Sequence, residues 1–257
     1  MKKALIILIM LFVWVGSASA TPLIGGHYKT KWSQGPDMDL GTDQLSMHRT
    51  NGPIVADDFM SDGRDIWGFH WWGSYLNDPR TNAEFDAGQG AERQVSFEIS
   101  FHKDCPANDP TCVLAGEPAY SYSTPSNDYQ SIIIDVEEDF YGTTNGGENV
   151  YEYWVELPSP WEEIAGEVYW VDFGWNAGQF GTGFTSDVWG WHQSDEQNLD
   201  FAVTTLAASG GNPHAGTWSV LNSDMAFEVI TVPEPNVIML MGLGLLGFVF
   251  SRRRPVV

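Results

Sequence analysis

The chain has 257 residues, 43% of them hydrophobic and 14% aromatic, which is enough to bury a sizeable core and too apolar for a disordered polymer. Its 34 acidic against 12 basic residues give a formal charge of -22, a field that repels phosphate backbones and anionic lipid headgroups. Nucleic acid is thereby excluded as a partner, and the length fits one large β domain.

The chain opens with a positive Met1-Lys2-Lys3, an apolar stretch from Ala4 to Val15, and the small residues Gly16 to Ala20. Ala18 and Ala20 stand in an A-x-A arrangement, so residues 1–20 are predicted to be a secretory signal peptide cleaved after Ala20. Its apolar core is shorter than the roughly 20 residues of a membrane span. The expected first partners are the Sec translocon and signal peptidase. The exported domain then runs over residues 21–231, and losing Lys2 and Lys3 makes it more acidic still.

Asp37, Asp39 and Asp43 fall within one short loop that also holds Gly41, a pattern suited to a hard cation such as a structural Ca2+. The loop lacks the EF-hand spacing and its closing glutamate. Asp57 and Asp58, with Asp62 and Asp65 nearby, form a second acidic group. Solvated acidic loops are the plainer reading of both.

Periodicity is β almost throughout. Gln94 to Phe101 alternates apolar and polar with period two, and Tyr151–Leu157, Glu167–Trp175, Asp187–His192, Asn198–Thr205 and Met225–Val232 look similar. Asp65 to Trp72 reads as a further strand, and Ile132, Ile133 and Ile134 as a buried one. Turn signals such as Asn51-Gly52, Asn145-Gly146-Gly147 and Gly210-Gly211-Asn212-Pro213 separate these segments. The predicted fold is all-β, an antiparallel β-sandwich of jelly-roll type. Cys105 and Cys112 are the only cysteines, and in an oxidising compartment they read as a disulfide closing one small loop. A metal site with His102 would lack a fourth ligand.

Tryptophan is in excess, with 12 in the chain. Aromatic faces on a β-sandwich can stack on sugar rings while neighbouring carboxylates or amides bond the hydroxyls. Trp71, Trp72, Tyr75, Trp189 and Trp191 are the candidate glycan-binding residues, with Asn77, Asp78, Asp187 and Gln193 as polar neighbours. The competing reading places such side chains in the core. For catalysis the chain offers little. Glu137-Glu138 and Glu162-Glu163 are sequence neighbours, which a strand sends to opposite faces. No G-x-S-x-G elbow or H-E-x-x-H helix is present. No catalytic residue is assigned.

The tail is a third unit, residues 232–257. Pro233, Glu234 and Pro235 precede an apolar run from Val237 to Phe250, followed by Arg252, Arg253 and Arg254. As a helix that run spans roughly 21 Å against about 30 Å of hydrocarbon, so it predicts a short membrane helix in a thinned or deformed bilayer, with the arginines on the cytoplasmic side. Gly242, Gly244 and Gly247 spell G-x-G-x-x-G by coincidence, with no strand before them. The three elements in this order resemble the PEP-CTERM sorting tail of exported proteins in Gram-negative, exopolysaccharide-making bacteria. The resemblance covers about the last 25 residues and implies recognition by a membrane-embedded exosortase and removal near the Pro-Glu-Pro.

The exported part carries a second resemblance. Lys31 to Asp37, Ala56-Asp57-Asp58-Phe59, Trp72 to Asp78, Ile99 to Pro106, Trp189-Gly190-Trp191 and Asp224 to Phe227 resemble, in order, the blocks of an uncharacterised domain of exported bacterial and archaeal proteins. That likeness implies a domain without implying an activity. The expectation from the whole sequence is a non-catalytic surface or extracellular-matrix protein, membrane-anchored in transit, that binds exopolysaccharide. A secreted polysaccharide-cleaving enzyme on the same fold is the alternative.

Overall fold

In a computed structural model the described residues are 28–48, 53–76, 93–111, 119–176, 188–205 and 217–232. They form twelve strands and no helix: β1 Lys29–Gln34, β2 Asp43–Leu45, β3 Ile54–Met60, β4 Ile66–Leu76, β5 Arg93–Cys105, β6 Thr124–Thr143, β7 Asn149–Trp161, β8 Val168–Trp175, β9 Val188–His192, β10 Val203–Thr205, β11 Trp218–Val220 and β12 Phe227–Thr231. All pairings between strands are antiparallel, as expected. They join in one continuous sheet of order β1-β12-β4-β7-β6-β5-β8-β3-β10-β11, with β9 also on β4 and β2 on β9.

The sheet curls on itself. β4 and β8 are separated by three strands along the ladder, yet Trp71 of β4 stacks on Phe173 of β8 with ring centroids 4.4 Å apart, and Phe69 meets the same ring edge-on at 5.5 Å. The long β6 makes the corner, pairing β5 through residues 124–138, with a register shift between His102 and Asp104, and β7 through residues 137–143. The inner surface is therefore shared by both layers, and alternation along each strand fills it with aromatic rings: Phe69, Trp71 and Tyr75 from β4, Tyr151 and Tyr153 from β7, Trp189 and Trp191 from β9. Large rings suit a sheet that no helix among the described residues covers, since each removes roughly 150–250 Å² from water.

Side chains stitch the open seam. Asp57 of β3 is fully buried and accepts from Gln34 Nε2 of β1 at 2.9 Å and from the Met225 amide, just before β12, at 2.7 Å. Those two bonds tie β3 to the other end of the curl. Burial, followed by the charges of Asp224 and Asp58, pushes the Asp57 carboxyl well above its ordinary value. A polar chain also crosses the core: Trp189 Nε1 donates to the Tyr153 hydroxyl at 3.1 Å, and Tyr153 and Tyr75 both donate to Glu138 Oε2.

Two sequence expectations change here. Ile132–Ile134 is not a fully buried strand. Those residues alternate within β6, with Ile132 and Ile134 half-buried against the core and Ile133 38% exposed, because only one face of β6 meets the interior. The segment Asn198–Thr205 is extended into a ladder only over Val203–Thr205, and Leu199 before it has φ 51°. Cys105 is disulfide-bonded, while Cys112 lies outside the described residues.

Candidate functional site

Inward alternation of Phe69, Trp71 and Tyr75 turns His70, Trp72 and Ser74 of β4 to the outer face, and each of the three centres a group of side chains. His70 is 4% exposed and is clamped from both ends: Nδ1 lies 3.1 Å from Glu228 Oε2 of β12 and Nε2 lies 3.1 Å from Glu152 Oε2 of β7. Burial works against the Glu228 charge, but the His70 hydrogen bond and charge, with a bond from Ser33, outweigh it and hold this carboxyl below its ordinary range.

The His70 ring lies between two aromatics. Trp154 of β7 stacks on it with centroids 3.5 Å apart and planes 13° from parallel, and Trp72 approaches at 3.9 Å. Trp72 in turn meets the edge of Tyr141 on β6 at 5.7 Å. Trp154 is 37% exposed and Tyr141 44%, so the row ends in open rings on both sides. Register puts Glu137 directly across from Trp154 and Asp139 across from Glu152, on the same face. The result is a sheet surface with two exposed rings and carboxylates between and beside them.

Next along β4, Ser74 donates to Asp43 of β2 and to Glu148 Oε1 at 3.0 Å. His192 of β9 places Nδ1 2.8 Å from Asp43 Oδ1 and donates Nε2 to the Asp37 carbonyl at 3.0 Å. Burial lowers the His192 pKa, but Asp43 and the Asp37 carbonyl outweigh it and raise it. Glu148 is pushed up to about 7 by burial and by the Asp43 charge. Asp43, Glu148 and His192 bring one ligand atom each within 4.8 Å of one another, a spacing a metal could bridge. Both ring nitrogens of His192 are committed to oxygens, Nδ1 to Asp43 and Nε2 to the Asp37 carbonyl.

The loop carrying Asp37 and Asp39 seals this end. Gly41 packs so closely that a Cβ there would fall 2.3 Å from the Asp37 carbonyl and 2.7 Å from His192 Nε2. Met38 rests on the cluster of Trp72, Val150 and Ala226.

The sequence-predicted sites are distributed differently. Trp71, Trp72, Tyr75, Trp189 and Trp191 are all at most 4% exposed, so the surface role expected of them is corrected: four point into the curl and Trp72 is covered by the Met38 loop. Asp37, Asp39 and Asp43 do not converge. Asp37 Oδ1 accepts from the Asp39 and Leu40 amides, Asp39 accepts from Asn145 Nδ2, and Asp43 turns to Ser74 and His192. Gln193 accepts from Thr42. His102 is buried, with its two ring nitrogens against the Ser126 carbonyl and Asp172. Glu137 and Glu138 do lie on opposite faces, exposed and 2% exposed respectively. Asn77, Asp78, Cys112, Asp187, the cleavage residues Ala18 and Ala20, and Pro233, Glu234, Pro235, Arg252, Arg253 and Arg254 lie outside the described residues.

Sequence reasoning missed Trp154, Tyr141 and His70. The signal was present for Trp154: in Tyr151-Glu152-Tyr153-Trp154-Val155-Glu156-Leu157 it falls on the parity of the glutamates.

Fold and site together define an acidic all-β domain with an aromatic outer face, followed by a sorting tail. Residues 30–230 match the family described as a domain of unknown function (DUF7901), and the chain belongs to that family. Residues 231–254 match the PEP-CTERM protein-sorting motif. The motif marks an exported protein of Gram-negative bacteria, sorted by an exosortase and transiently membrane-associated. No curated protein and no solved structure matches the chain. Among the described residues no helix is long and apolar enough to cross a membrane.

Proposed function

We propose that the domain is a non-catalytic surface or matrix module that binds the producing cell's exopolysaccharide through the outer face of β4, β6 and β7. The observation that carries this reading is the exposed pair Trp154 and Tyr141, joined through His70 and Trp72 and flanked by Glu137, Asp139 and Glu152. Exposed rings stack on sugar faces, and carboxylates accept hydrogen bonds from the hydroxyls around them. The same acidic face disfavours an anionic glycan, so the substrate class is a neutral or cationic polysaccharide.

The route is a signal peptide over residues 1–20 read by Sec and signal peptidase, the domain over 21–231, and a tail over 232–257 whose apolar run holds the chain in the membrane until the exosortase acts. The non-catalytic reading is supported by the arrangement of Asp43 and Glu148, which meet at Ser74 beside His192 rather than facing each other across a substrate. A glycan array probed with the exported protein tests this: neutral polymers are bound by the native protein and lost with Trp154→Ala, whereas binding that ignores this substitution would place the ligand elsewhere.

A further inference from the structure

Among the described residues, one group brings three metal-ligating side chains together: Asp43, Glu148 and His192. They come from separate stretches of chain. Asp43 of β2 and His192 of β9 are direct cross-strand partners, Ser74 of β4 pairs with Gly190 on the other edge of β9, and Glu148 enters from the turn before β7. The absence of a side chain at Gly190 lets them meet. A Cβ there would fall 2.6 Å from the Asp43 Cβ and push Asp43 away from Ser74.

His192 is fully buried, and its protonation is fixed from one side. Nε2 lies 3.0 Å from the Asp37 carbonyl, an oxygen that only accepts, so Nε2 carries the hydrogen. The Gly41 amide donates to the same carbonyl at 3.2 Å and holds it there. A ligating histidine characteristically gives its second N–H to a backbone carbonyl in this way, which aims the lone pair of the other nitrogen at the ion. Here that nitrogen, Nδ1, faces the carboxylates, 2.8 Å from Asp43 Oδ1.

The oxygens facing it are short of donors. Ser74 Oγ reaches both Asp43 Oδ2 and Glu148 Oε1, yet a hydroxyl has one hydrogen to give. Among the described residues the one ion-pair partner of either carboxylate is His192 itself. Burial first, then the Asp43 charge, pushes Glu148 up to about 7. We propose that Asp43, Glu148 and His192 Nδ1 bind one divalent cation of the zinc class, with Ser74 Oγ beside it as a fourth donor.

The spacing suits such an ion. Ligands roughly 2.0–2.2 Å from one zinc stand about 3 Å apart, close to the 2.8 Å between Nδ1 and Asp43 and the 3.0 Å between Ser74 and Glu148. The imidazole separates this donor set from the all-oxygen shells of calcium and magnesium, and two carboxylates neutralise a doubly positive ion. The ion would take the place of a proton between Nδ1 and Asp43, and would tie β2, β9 and the β6–β7 turn to β4. It would also hold the Met38 loop over Trp72. The proposal does not depend on the glycan reading, since the ligands include neither Trp154 nor Tyr141.

The test is calorimetric titration of the chelator-stripped full chain, in detergent, with ZnCl2 at about pH 7.5. One equivalent is expected to bind in the micromolar range or tighter, and CaCl2 at about 1 mM, the weak end of calcium modules, should not displace it. Glu148→Gln preserves the shape of a half-buried side chain and should weaken binding at least about tenfold. Asp43→Asn should do the same. Zinc should raise the melting temperature of the native protein more than that of either variant. No saturable binding up to millimolar zinc would overturn the proposal. So would binding that both variants retain, or zinc displaced by an equal concentration of calcium.

Discussion

His70 and Trp154 stack across the β4–β7 ladder with ring centroids 3.5 Å apart, while both nitrogens of that His70 ring are engaged by carboxylates. Glu152 and Glu228 fix the His70 ring, and the ring fixes Trp154, so an exposed indole is held in one orientation before any ligand arrives. Pre-organisation of this kind lowers the entropy cost of binding. Trp154→Ala should therefore weaken polysaccharide binding about tenfold or more, roughly 1.4 kcal/mol, while moving the melting temperature little. A loss of binding matched by an equal loss of folded protein would instead make Trp154 a structural residue.

Trp71 should behave in the opposite way. It is fully buried, stacked on Phe173 at 4.4 Å and on Tyr153 at 5.5 Å. Trp71→Ala empties a large volume between the two layers and should cost about 3–5 kcal/mol, read as a shift of the denaturation midpoint. A shift below about 1 kcal/mol, the cost of a volume-conserving swap, would mean that the curl is not closed on this ring.

The seam gives a separate expectation. Asp57→Ala removes the acceptor for Gln34 Nε2 and for the Met225 amide. Leaving the Met225 amide and one of the two Gln34 Nε2 hydrogens buried and unpaired, while the other still bonds the Met225 carbonyl, should destabilise the fold by roughly 2–4 kcal/mol, with hydrogen exchange accelerating first in β1 and at the start of β12. Uniform acceleration over the whole sheet would argue against a local seam.

Stability should lean toward acid. Asp57, Asp58, Asp224 and Glu148 are raised above their ordinary values, as is His192. A group raised on folding binds more protons folded than unfolded between its two pKa values, so its contribution is present at low pH and lost as pH rises through the folded value. The window opens near the ordinary 3.8 of aspartate and passes through about 6 for Asp224, about 7 for Glu148 and about 8 for Asp58. Glu228, held low by His70, acts in the opposite sense, only around and below its ordinary 4.5. The melting temperature should fall between about pH 5 and pH 8.5, and a rise over that interval would contradict the burial of these carboxyls in the folded protein.

Legibility in the sequence followed how each strand is solvated. β5 and β7 read correctly because one face of each meets the core and the other is polar, so period two survives in the residues themselves. β3 is buried on both faces over its first six residues and carries Asp57 and Asp58 in the middle, so neither alternation nor an apolar run announced it. The adjacent Trp71 and Trp72 had to point to opposite faces, yet nothing local indicated that a loop from Met38 would cover the outer one. The Asp43–His192 and Asp57–Met225 contacts join residues 149 and 168 positions apart, and only the closed curl brings them together.

The tail should act as an address independent of the domain. Replacing Pro233, Glu234 and Pro235 with alanine should leave the exported chain in the membrane fraction at its unprocessed size, by immunoblot of fractionated cells. Normal release would show that sorting does not depend on this motif.

The most direct measurement is co-sedimentation of the native exported protein with exopolysaccharide purified from the producing strain, beside the double variant Trp154→Ala, Tyr141→Ala. Saturable binding of the native protein, lost in a double variant that melts at the same temperature, is the predicted result. Equal binding by both proteins, or none by a folded native protein, would contradict the assignment of this face to polysaccharide recognition.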